Sequence, residues 1–156
     1  MLVGLLLRYL IKSINRLWRD EMCSIVIPIY SQYADNIYNG KKKYEYRKIA
    51  PSKKIDYLIL YETKPVCSIT GIAEVKDILK KPPNELWNDT KRFAGISHKA
   101  FMDYFGDIDV AVAYELGNFI NLDSPLSLHD ININNVPQSF QYVDEPVIKS
   151  LAFDCW

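Results

Sequence analysis

The side chains best suited to chemistry lie between residues 40 and 48, where a turn glycine precedes three lysines and then alternating aromatic and charged residues. The alternation predicts a β-strand, whose two faces each receive every second side chain. One face would carry charges of both signs and the other mainly aromatic rings: Lys43, Glu45 and Arg47 against Tyr44, Tyr46 and Lys48. Lys42 stands where the turn becomes a strand, so the alternation leaves either face open to it. Cationic donors beside a carboxylate acceptor suit a polar planar ligand such as a nucleobase with its phosphate.

The distribution of charge along the chain bears on whether this cluster binds a ligand. The formal net charge of the 156-residue chain is zero, but residues 40–54 carry seven Lys and Arg side chains against one Glu. From residue 55 to the C-terminus, eight basic side chains stand against fifteen acidic ones. A basic pole on an acidic body favours local contact with an anion over indiscriminate binding to polyanions. The alternatives are a solvated edge strand protected from aggregation by its lysines, and a lysine-rich loop that keeps the protein in solution.

The cysteines and histidines predict neither a metal site nor a cofactor. Cys23, Cys67 and Cys155 show no CxxC spacing, and only His98 and His129 are available to join them. An odd number of scattered cysteines predicts no disulfide framework and suits a reducing, cytoplasmic environment. Cys67 lies in an apolar, β-branched run, which predicts a small buried hydrophobic residue rather than a nucleophile.

Residues 1–21 place apolar side chains at helical spacing with basic ones opposite, which predicts an amphipathic cationic helix. Its apolar run is too short to span a bilayer and its charges follow the run, so neither a transmembrane segment nor a secretory signal is predicted. Three alternatives remain: packing on the domain or on a protein partner, binding at a membrane surface, and an extension upstream of a natural start at Met22. The chain is therefore divided into residues 1–21, a domain at 22–143, and a tail at 144–156 with helical character.

The first part of the domain predicts a strand, a short helix and the charged strand. Residues 23–29 are apolar and β-branched, which predicts a buried strand with Pro28 near its end. Ser31 is predicted to cap a helix over residues 32–39, and Gly40 to end it. The charged cluster is therefore expected at a corner between a helix and a strand.

Downstream, four more strands and two helices are predicted from alternation, β-branched runs and the positions of Gly and Pro. The strands cover residues 56–61, 66–79, 109–122 and 137–143, and the helices cover residues 82–93 and 98–104. Gly71 predicts a bend or bulge within its strand, and Ser97 is expected to cap the second helix.

The stretch 109–122 has two interpretations, a single strand or a hairpin around residues 117–118. A turn is predicted at residues 124–125 from its Ser-Pro sequence, followed by a short connector. No internal repeat and no low-complexity linker divides the sequence. Strands and short helices in this order predict an α+β domain, and the long bent strand suits a small β-barrel.

The order of these segments resembles that of ASCH domains, which are members of the PUA-like superfamily. The family motif Gly-x-Lys-x-x-Glu-x-Arg is matched at each specified position by Gly40, Lys42, Glu45 and Arg47. Two further segments, at residues 95–105 and 136–142, are similar to ones seen in the same family. The resemblance extends from about Met22 to Val143.

The resemblance implies a small mixed or antiparallel β-barrel with short helices at its ends and a cleft, lined by the motif, that binds RNA or a modified nucleotide. In that cleft Lys42 and Arg47 would engage phosphate or base acceptors, while Glu45 would accept from a base edge or hold Arg47. Tyr30 and Tyr44 are available for stacking on a base. The predicted ligand-binding residues are Gly40, Lys42, Glu45, Arg47, Tyr30 and Ser31.

A second hypothesis is a hydrolase in the same cleft, because ASCH proteins include nucleases and amidohydrolases that act on acylated cytidine. Lys42 would then be the base or nucleophile, with a pKa lowered by desolvation and neighbouring lysines, and Glu45 or Glu74 would carry the proton. The small amidohydrolases of the family carry threonine at the position of Glu45. A third hypothesis is an interaction protein that acts through residues 1–21. Five other side chains are candidates for the rim of the cleft: Tyr61, Thr63, Ser97, His98 and Ser139.

Overall fold

The computed structural model describes residues 22–144 and has the predicted α+β fold. Six strands form one mixed sheet that is curled into a half-barrel, accompanied by three short α-helices. In chain order the elements are β1 (Ser24–Ile29), α1 (Ser31–Tyr38), β2 (Tyr44–Arg47), β3 (Tyr57–Glu62), β4 (Ser68–Lys81), α2 (Pro83–Thr90), α3 (His98–Phe105), β5 (Ala111–Leu126) and β6 (Gln141–Val143). The helix predicted for residues 1–21 and the helical tail predicted after residue 144 lie outside the described residues.

The strands are arranged in the order β2-β5-β4-β3-β1-β6 across the sheet. β1 and β3 are parallel, and the other neighbouring pairs are antiparallel. β3 has strands on both sides and is almost entirely buried, which explains its continuous apolar run. β6 extends along β1 only as far as Val26, so Pro28 lies past the end of that ladder, where its missing N–H is tolerated. Among residues 22–144, β2 pairs with β5 alone and forms an edge of the sheet.

Alternate side chains of β2 enter two different environments, as the two-residue repeat predicts. Tyr44 and Tyr46 pack in a hydrophobic cluster with side chains of α2 and α3. The ring of Tyr46 meets that of Phe101 edge-on, with 4.9 Å between centroids. Glu45 and Arg47 point to the opposite face, where Arg47 reaches the backbone of β1. The hydrophobic cluster with α2 and α3 therefore anchors one face of β2, and the charged face of β2 is directed inward across the sheet.

β4 and β5 form a long irregular ribbon in the middle of the sheet. The register shifts between Ile69 and Gly71, so the predicted bulge at Gly71 is confirmed. A Cβ atom at this position would lie 2.6 Å from the carbonyl oxygen of Ile120 and 2.4 Å from the hydroxyl of Tyr38. Glycine is thus required here because the backbone of the neighbouring strand approaches closely.

The predicted end of β5 is wrong in two respects. The hairpin alternative fails because Ala111–Leu126 is one continuous strand. The predicted turn at Ser124 and Pro125 fails because both residues lie inside that strand. The pairing of β5 with β4 is interrupted between Asn121 and Leu126, and a proline is tolerated in such a gap. The last strand is also shorter than predicted, since only Gln141–Val143 pairs with β1.

Two predictions for single residues are corrected by the local backbone. Ser31 does not cap α1, because Tyr30 holds the extended cap position and Ser31 is already helical, with a buried hydroxyl that has no hydrogen-bond partner among residues 22–144. Ser97 does cap α3, where its side chain accepts from the amide of Ala100 at 3.1 Å. Cys67 is exposed instead of buried, because β4 begins one residue later and Cys67 lies in the preceding turn with φ of 51°.

Candidate functional site

Lys42 is held at the corner between α1 and β2. Gly40 has φ of +78° and ends the helix, so the chain turns and the amide of Lys42 donates to the carbonyl of Asn36 at 2.8 Å. The ammonium of Lys42 donates to the carbonyl of Ala94 at 3.1 Å and lies 3.4 Å from Oε2 of Glu45. Only 2% of the residue is exposed. The corner therefore directs this lysine into the protein and onto the charged face of β2.

Glu45 lies between two cations. Its Oε1 atom is 3.0 Å from Nη2 of Arg47, while Oε2 faces Lys42. The same Nη2 atom donates to the carbonyl of Pro28 at 2.6 Å, which connects β2 to β1 across the face of the sheet. Lys42, Glu45 and Arg47 are hereafter called the triad. With all three side chains ionised the triad carries one net positive charge, and it is largely buried.

Burial shifts the protonation equilibrium of Lys42. Burial is the main cause that lowers the pKa of Lys42 from its ordinary value of 10.5, while the attraction of Glu45 opposes this shift and Arg47 adds to it. The ammonium also lies 4.6 Å from the ring centroid of Tyr46, a cation–π contact that favours the charged form. The Lys42 amine consequently gives up its proton at a lower pH than an exposed lysine does.

A cleft of about 170 Å³ opens over the triad. Aromatic and apolar side chains provide most of the remaining wall: Pro28, Ile29, Tyr30, Tyr33, Tyr46, Ile96, Ala100 and Tyr104. Tyr30 is 66% exposed and Tyr104 is 40% exposed, so both rings stand where the cleft meets solvent. A cavity of about 150 Å³ accepts a benzene ring. The cleft therefore has room for one planar ring.

The segment that leads into α3 closes the cleft against the sheet. Ala94 forms a backbone bridge with Lys42, and the side-chain amide of Asn36 donates to the carbonyl of Gly95 at 2.9 Å. Gly95 has φ of +64°, and a Cβ atom there would lie 2.3 Å from Cβ of Lys42. Glycine is needed at this position both for its backbone conformation and for the close approach of the two segments.

The cleft collects four of the predicted ligand-binding residues: Tyr30, Lys42, Glu45 and Arg47. Gly40 lines a different cavity of about 420 Å³ together with Lys43. The ammonium of Lys43 lies 4.3 Å from the ring centroid of Phe93, so Lys43 leaves the face that it was predicted to share with Glu45. The reason is that β2 begins only at Tyr44, and the alternation does not extend back to Lys43.

The other predicted residues lie away from the cleft wall. Ser31 and Tyr44 do not line it, and neither does any of the five rim candidates. His98, one of these five, packs against Trp87 with 5.0 Å between ring centroids. The carboxylate of Glu74 accepts from the amide of Asn118 at 3.2 Å, on the ribbon of β4 and β5.

Sequence reasoning missed several residues of the cleft wall. Ala100 and Tyr104 are four residues apart in α3, the spacing that places side chains along one face of a helix, and Ile96 precedes the cap of that helix. Tyr33 follows Tyr30 by three residues at the start of α1, and the two rings lie 6.2 Å apart. Both spacings are visible in the sequence, but nothing in it indicates that the two faces meet.

Residues 22–144 contain neither a metal-ligating cluster nor a membrane-spanning helix. In that range no group of three or more His, Cys, Asp and Glu side chains is placed to hold a metal ion. None of its helices has the length and apolar character needed to cross a bilayer.

Comparisons with known proteins bear on the family and the fold. The sequence profile of the ASCH domain matches residues 27–122. An ASCH domain-containing ribonuclease from Zymomonas mobilis subsp. mobilis is 33% identical over 134 residues, which cover 81% of this chain and 88% of the relative. The crystal structure of ASCH from Zymomonas mobilis superposes with a TM-score of 0.75 at 26% identity, covering 85% of this chain and 96% of that one. The crystal structure of a tyrosine-to-phenylalanine mutant of the Zymomonas protein also superposes with a TM-score of 0.75. Its identity is 25%, and the match covers 85% of this chain and 99% of that one.

Proposed function

The chain belongs to the ASCH domain family, and from that premise we propose that it binds RNA, or a single nucleotide, in the cleft above the triad. One observation carries the proposal: a buried triad of two basic side chains and one carboxylate forms the floor of a cleft, and four of the eight other wall residues are tyrosines. A positive floor attracts phosphate, and aromatic walls stack on any base. The relative from Zymomonas mobilis is named a ribonuclease, which supports an RNA-related function.

Arg47 retains donors for a ligand. A guanidinium has five N–H donors, and the contacts to Pro28 and Glu45 both use Nη2. The Nε atom is buried and has no hydrogen-bond partner within residues 22–144. A buried donor without an acceptor costs free energy, so the contacts inside the domain do not fully satisfy this side chain. The contacts to Pro28 and Glu45 also leave the second terminal nitrogen, Nη1, unused, and this donor on a residue of the cleft wall supports an acceptor-rich ligand.

The exposed tyrosines provide the complementary apolar contact. Tyr30 and Tyr104 belong to different segments of the chain and line the same cleft. The cleft has room for one ring, so a single base would stack while its neighbours in the RNA remained outside. Stacking is tolerant of base identity, whereas the donors of the triad select for acceptor groups.

Binding of a fluorescent RNA dinucleotide tests the proposal with the least interference from other surfaces. Stacking of a base on an aromatic side chain is worth about 1–3 kcal/mol, so Tyr30→Ala should lower the affinity roughly 5- to 150-fold. Arg47→Lys keeps the charge but loses the planar donor set, and it should also weaken binding.

Tyr142→Ala is the matched control, because Tyr142 is an exposed tyrosine outside the cleft. It should bind the dinucleotide as the wild type does. Wild-type affinity in both Tyr30→Ala and Arg47→Lys would reject the cleft as the binding site.

Ribonuclease activity in the same cleft is a second candidate, favoured by the lowered pKa of Lys42 and by the name of the relative. A neutral Lys42 amine can accept the proton of a ribose 2′-hydroxyl. The 2′ oxygen then attacks phosphorus, the bond from phosphorus to the 5′ oxygen breaks, and that oxygen takes up a proton. The products carry a 2′,3′-cyclic phosphate and a 5′-hydroxyl.

Single-turnover cleavage of RNA by Lys42→Arg tests this candidate. Arginine keeps the positive charge but does not release its proton in proteins, so the variant should bind RNA and fail to cleave it. RNA with a 2′-deoxyribose at the cleavage site is the substrate control and should remain intact. Equal cleavage by the wild type and Lys42→Arg would exclude Lys42 as the base.

A further inference from the structure

A second concave surface is lined by four exposed lysines. It has a volume of about 360 Å³ and lies between residues 51–55 and the C-terminal half of β4. Four lysines and one acidic residue line it: Lys53, Lys54, Lys76, Lys80 and Asp77. This surface is hereafter called the lysine groove.

The charge of the lysine groove is poorly neutralised. Ion pairs within residues 22–144 involve Lys42, Arg47, Lys81 and Lys99, and none of them involves a lysine of the groove. Asp77, the acidic residue of the groove, offsets one of the four lysine charges and leaves the lining with a net charge of +3. The groove therefore presents several ammonium groups to solvent with little internal compensation.

The strand order explains why these lysines converge. The chain leaves β2 at the edge of the sheet and must cross β5 and β4 to reach β3. Ile55 secures the crossing, because it is buried against Leu58, Val112 and Tyr114. Ile78 of β4 packs against the same cluster. Apolar anchors thus hold the two walls together, and the lysines beside them are left at the surface.

The crossing segment also connects the lysine groove to the cleft. Arg47 lies in the cleft, and the ammonium of Lys48 stands 5.1 Å from the ring centroid of Tyr104 at the cleft mouth. Ile55 lies in the groove, eight residues after Arg47. Eight residues span at most about 29 Å when fully extended. The two surfaces therefore lie at most about 29 Å apart, with Lys48 at the cleft end of the connecting segment and Lys53 and Lys54 at the groove end.

We propose that the lysine groove binds the phosphate backbone of an RNA strand whose leading nucleotide occupies the cleft, an inference that rests on the proposed function. Lysine ammonium groups are compact point charges without the planar fork of arginine, so they suit phosphates and read no sequence. The groove supplies affinity that grows with strand length, and the cleft supplies the contact to a base. An acidic protein segment is the competing occupant, and the test separates it from RNA.

The test compares two RNA lengths on matched variants. The probes are a dinucleotide, one base of which occupies the cleft, and a single strand of about 12 nucleotides, within the site sizes of single-strand binders. Lys54→Ala combined with Lys80→Ala removes two charges from the groove. Lys64→Glu makes the same change in net charge in the exposed turn before β4, at the opposite end of that strand from the groove.

The readout is the ratio of the affinities for the long and the short RNA. The double variant should lower this ratio at least about tenfold at low salt and reduce the slope of log affinity against log salt by about 1.4, or about 0.7 per lost phosphate contact. Its affinity for the dinucleotide should equal that of the wild type. Lys64→Glu should leave both the ratio and the slope at their wild-type values.

Several outcomes would overturn the proposal while leaving the cleft intact. A wild-type protein that binds both lengths equally has no groove contribution, and an equal loss in Lys64→Glu would assign the effect to overall charge. The groove would instead be assigned to an acidic protein if two results held together. A poly-glutamate peptide would bind less tightly to the double lysine variant than to the wild type, and the long RNA would bind no more tightly than the dinucleotide. Failure of the wild type to bind either RNA would reject the cleft and the groove together.

Discussion

The cleft and the lysine groove both present positive charge, but they hold it in opposite ways. In the cleft the cations are buried and fixed by a carboxylate and by backbone carbonyls. In the groove the lysines are exposed and have no ion-pair partner among the described residues. Buried charges interact strongly but must first lose water, whereas exposed charges keep their water and are screened by salt. The cleft is therefore suited to orienting a bound ligand, and the groove is suited to attracting an anion from solution.

Among the variants that test this difference, Glu45→Ala should have the largest effect, a loss of unfolding free energy. The substitution leaves the buried cations Lys42 and Arg47 without their shared carboxylate and should cost about 3–5 kcal/mol of unfolding free energy. Lys81→Ala, which breaks the exposed pair with Asp89, should cost far less, because water and salt screen an exposed ion pair. Urea denaturation of both variants measures the contrast. Similar losses in the two would mean that the triad is no more demanding than a surface ion pair.

Gly95→Ala should have the next largest effect. The new methyl group would overlap Lys42 and force a left-handed residue to carry a side chain, which together should cost about 1–3 kcal/mol. Gly106→Ala is the control, because Gly106 also has positive φ but has open space around its Cβ position. Thermal denaturation should rank Gly95→Ala below Gly106→Ala. The reverse order would show that the segment before α3 does not press on Lys42.

The pH dependence of the unfolding free energy should show a smaller effect, which comes from the buried Lys42. Because the pKa of Lys42 is lowered on folding, the unfolded chain binds more protons between that lowered pKa and 10.5. Stability must therefore rise with pH in this window relative to Lys42→Met, by at most about 1.4 kcal/mol per pH unit. Urea denaturation between about pH 7 and about pH 10 measures the difference.

Lys42→Arg is the control for this titration, because arginine keeps its charge throughout the range. It should follow Lys42→Met in pH dependence, whatever its absolute stability. Wild-type stability that falls relative to that of Lys42→Met as the pH rises would contradict the lowered pKa.

The smallest effect on stability is expected in the lysine groove itself. Lys54→Ala and Lys80→Ala should each change the unfolding free energy by less than about 0.5 kcal/mol, because both side chains are exposed and form no ion pair within residues 22–144. Thermal denaturation of the two single variants is sufficient to measure this. A loss above about 1 kcal/mol would give these lysines a structural role and weaken the contrast with the triad.

Features that depend on neighbours in the chain were predictable from the sequence. Gly40 ends α1 and Ser97 caps α3, because turns and caps involve residues only a few positions apart. The contact between Glu45 and Arg47 follows from the two-residue repeat of a strand. The α+β class and the bulge at Gly71 follow from similarly local patterns.

Features that depend on distant partners were not predictable. The position of Lys42 was left open because it is decided by Ala94, 52 residues away. The two-residue repeat of a strand shows which side chains share a face but not how deeply that face is buried. The charged face of β2 is buried because the segment around α3 packs over it. Cys67 was misplaced for a related reason: the predicted strand begins at Val66, two residues before β4 does, and a small shift at a turn exchanges buried for exposed.

The bridge between Lys42 and Ala94 allows the cleft to open and close at a rate different from that of global unfolding. Local opening of a packed segment requires less free energy than global unfolding, so the segment around Ala94 can detach while the six-stranded sheet persists. The amide of Lys43 donates to the carbonyl of Phe93 at 2.8 Å across this junction. Its exchange with deuterated solvent therefore reports how often the cleft opens. A nucleotide held between the two segments would slow that exchange at Lys43 far more than at amides in the centre of the sheet.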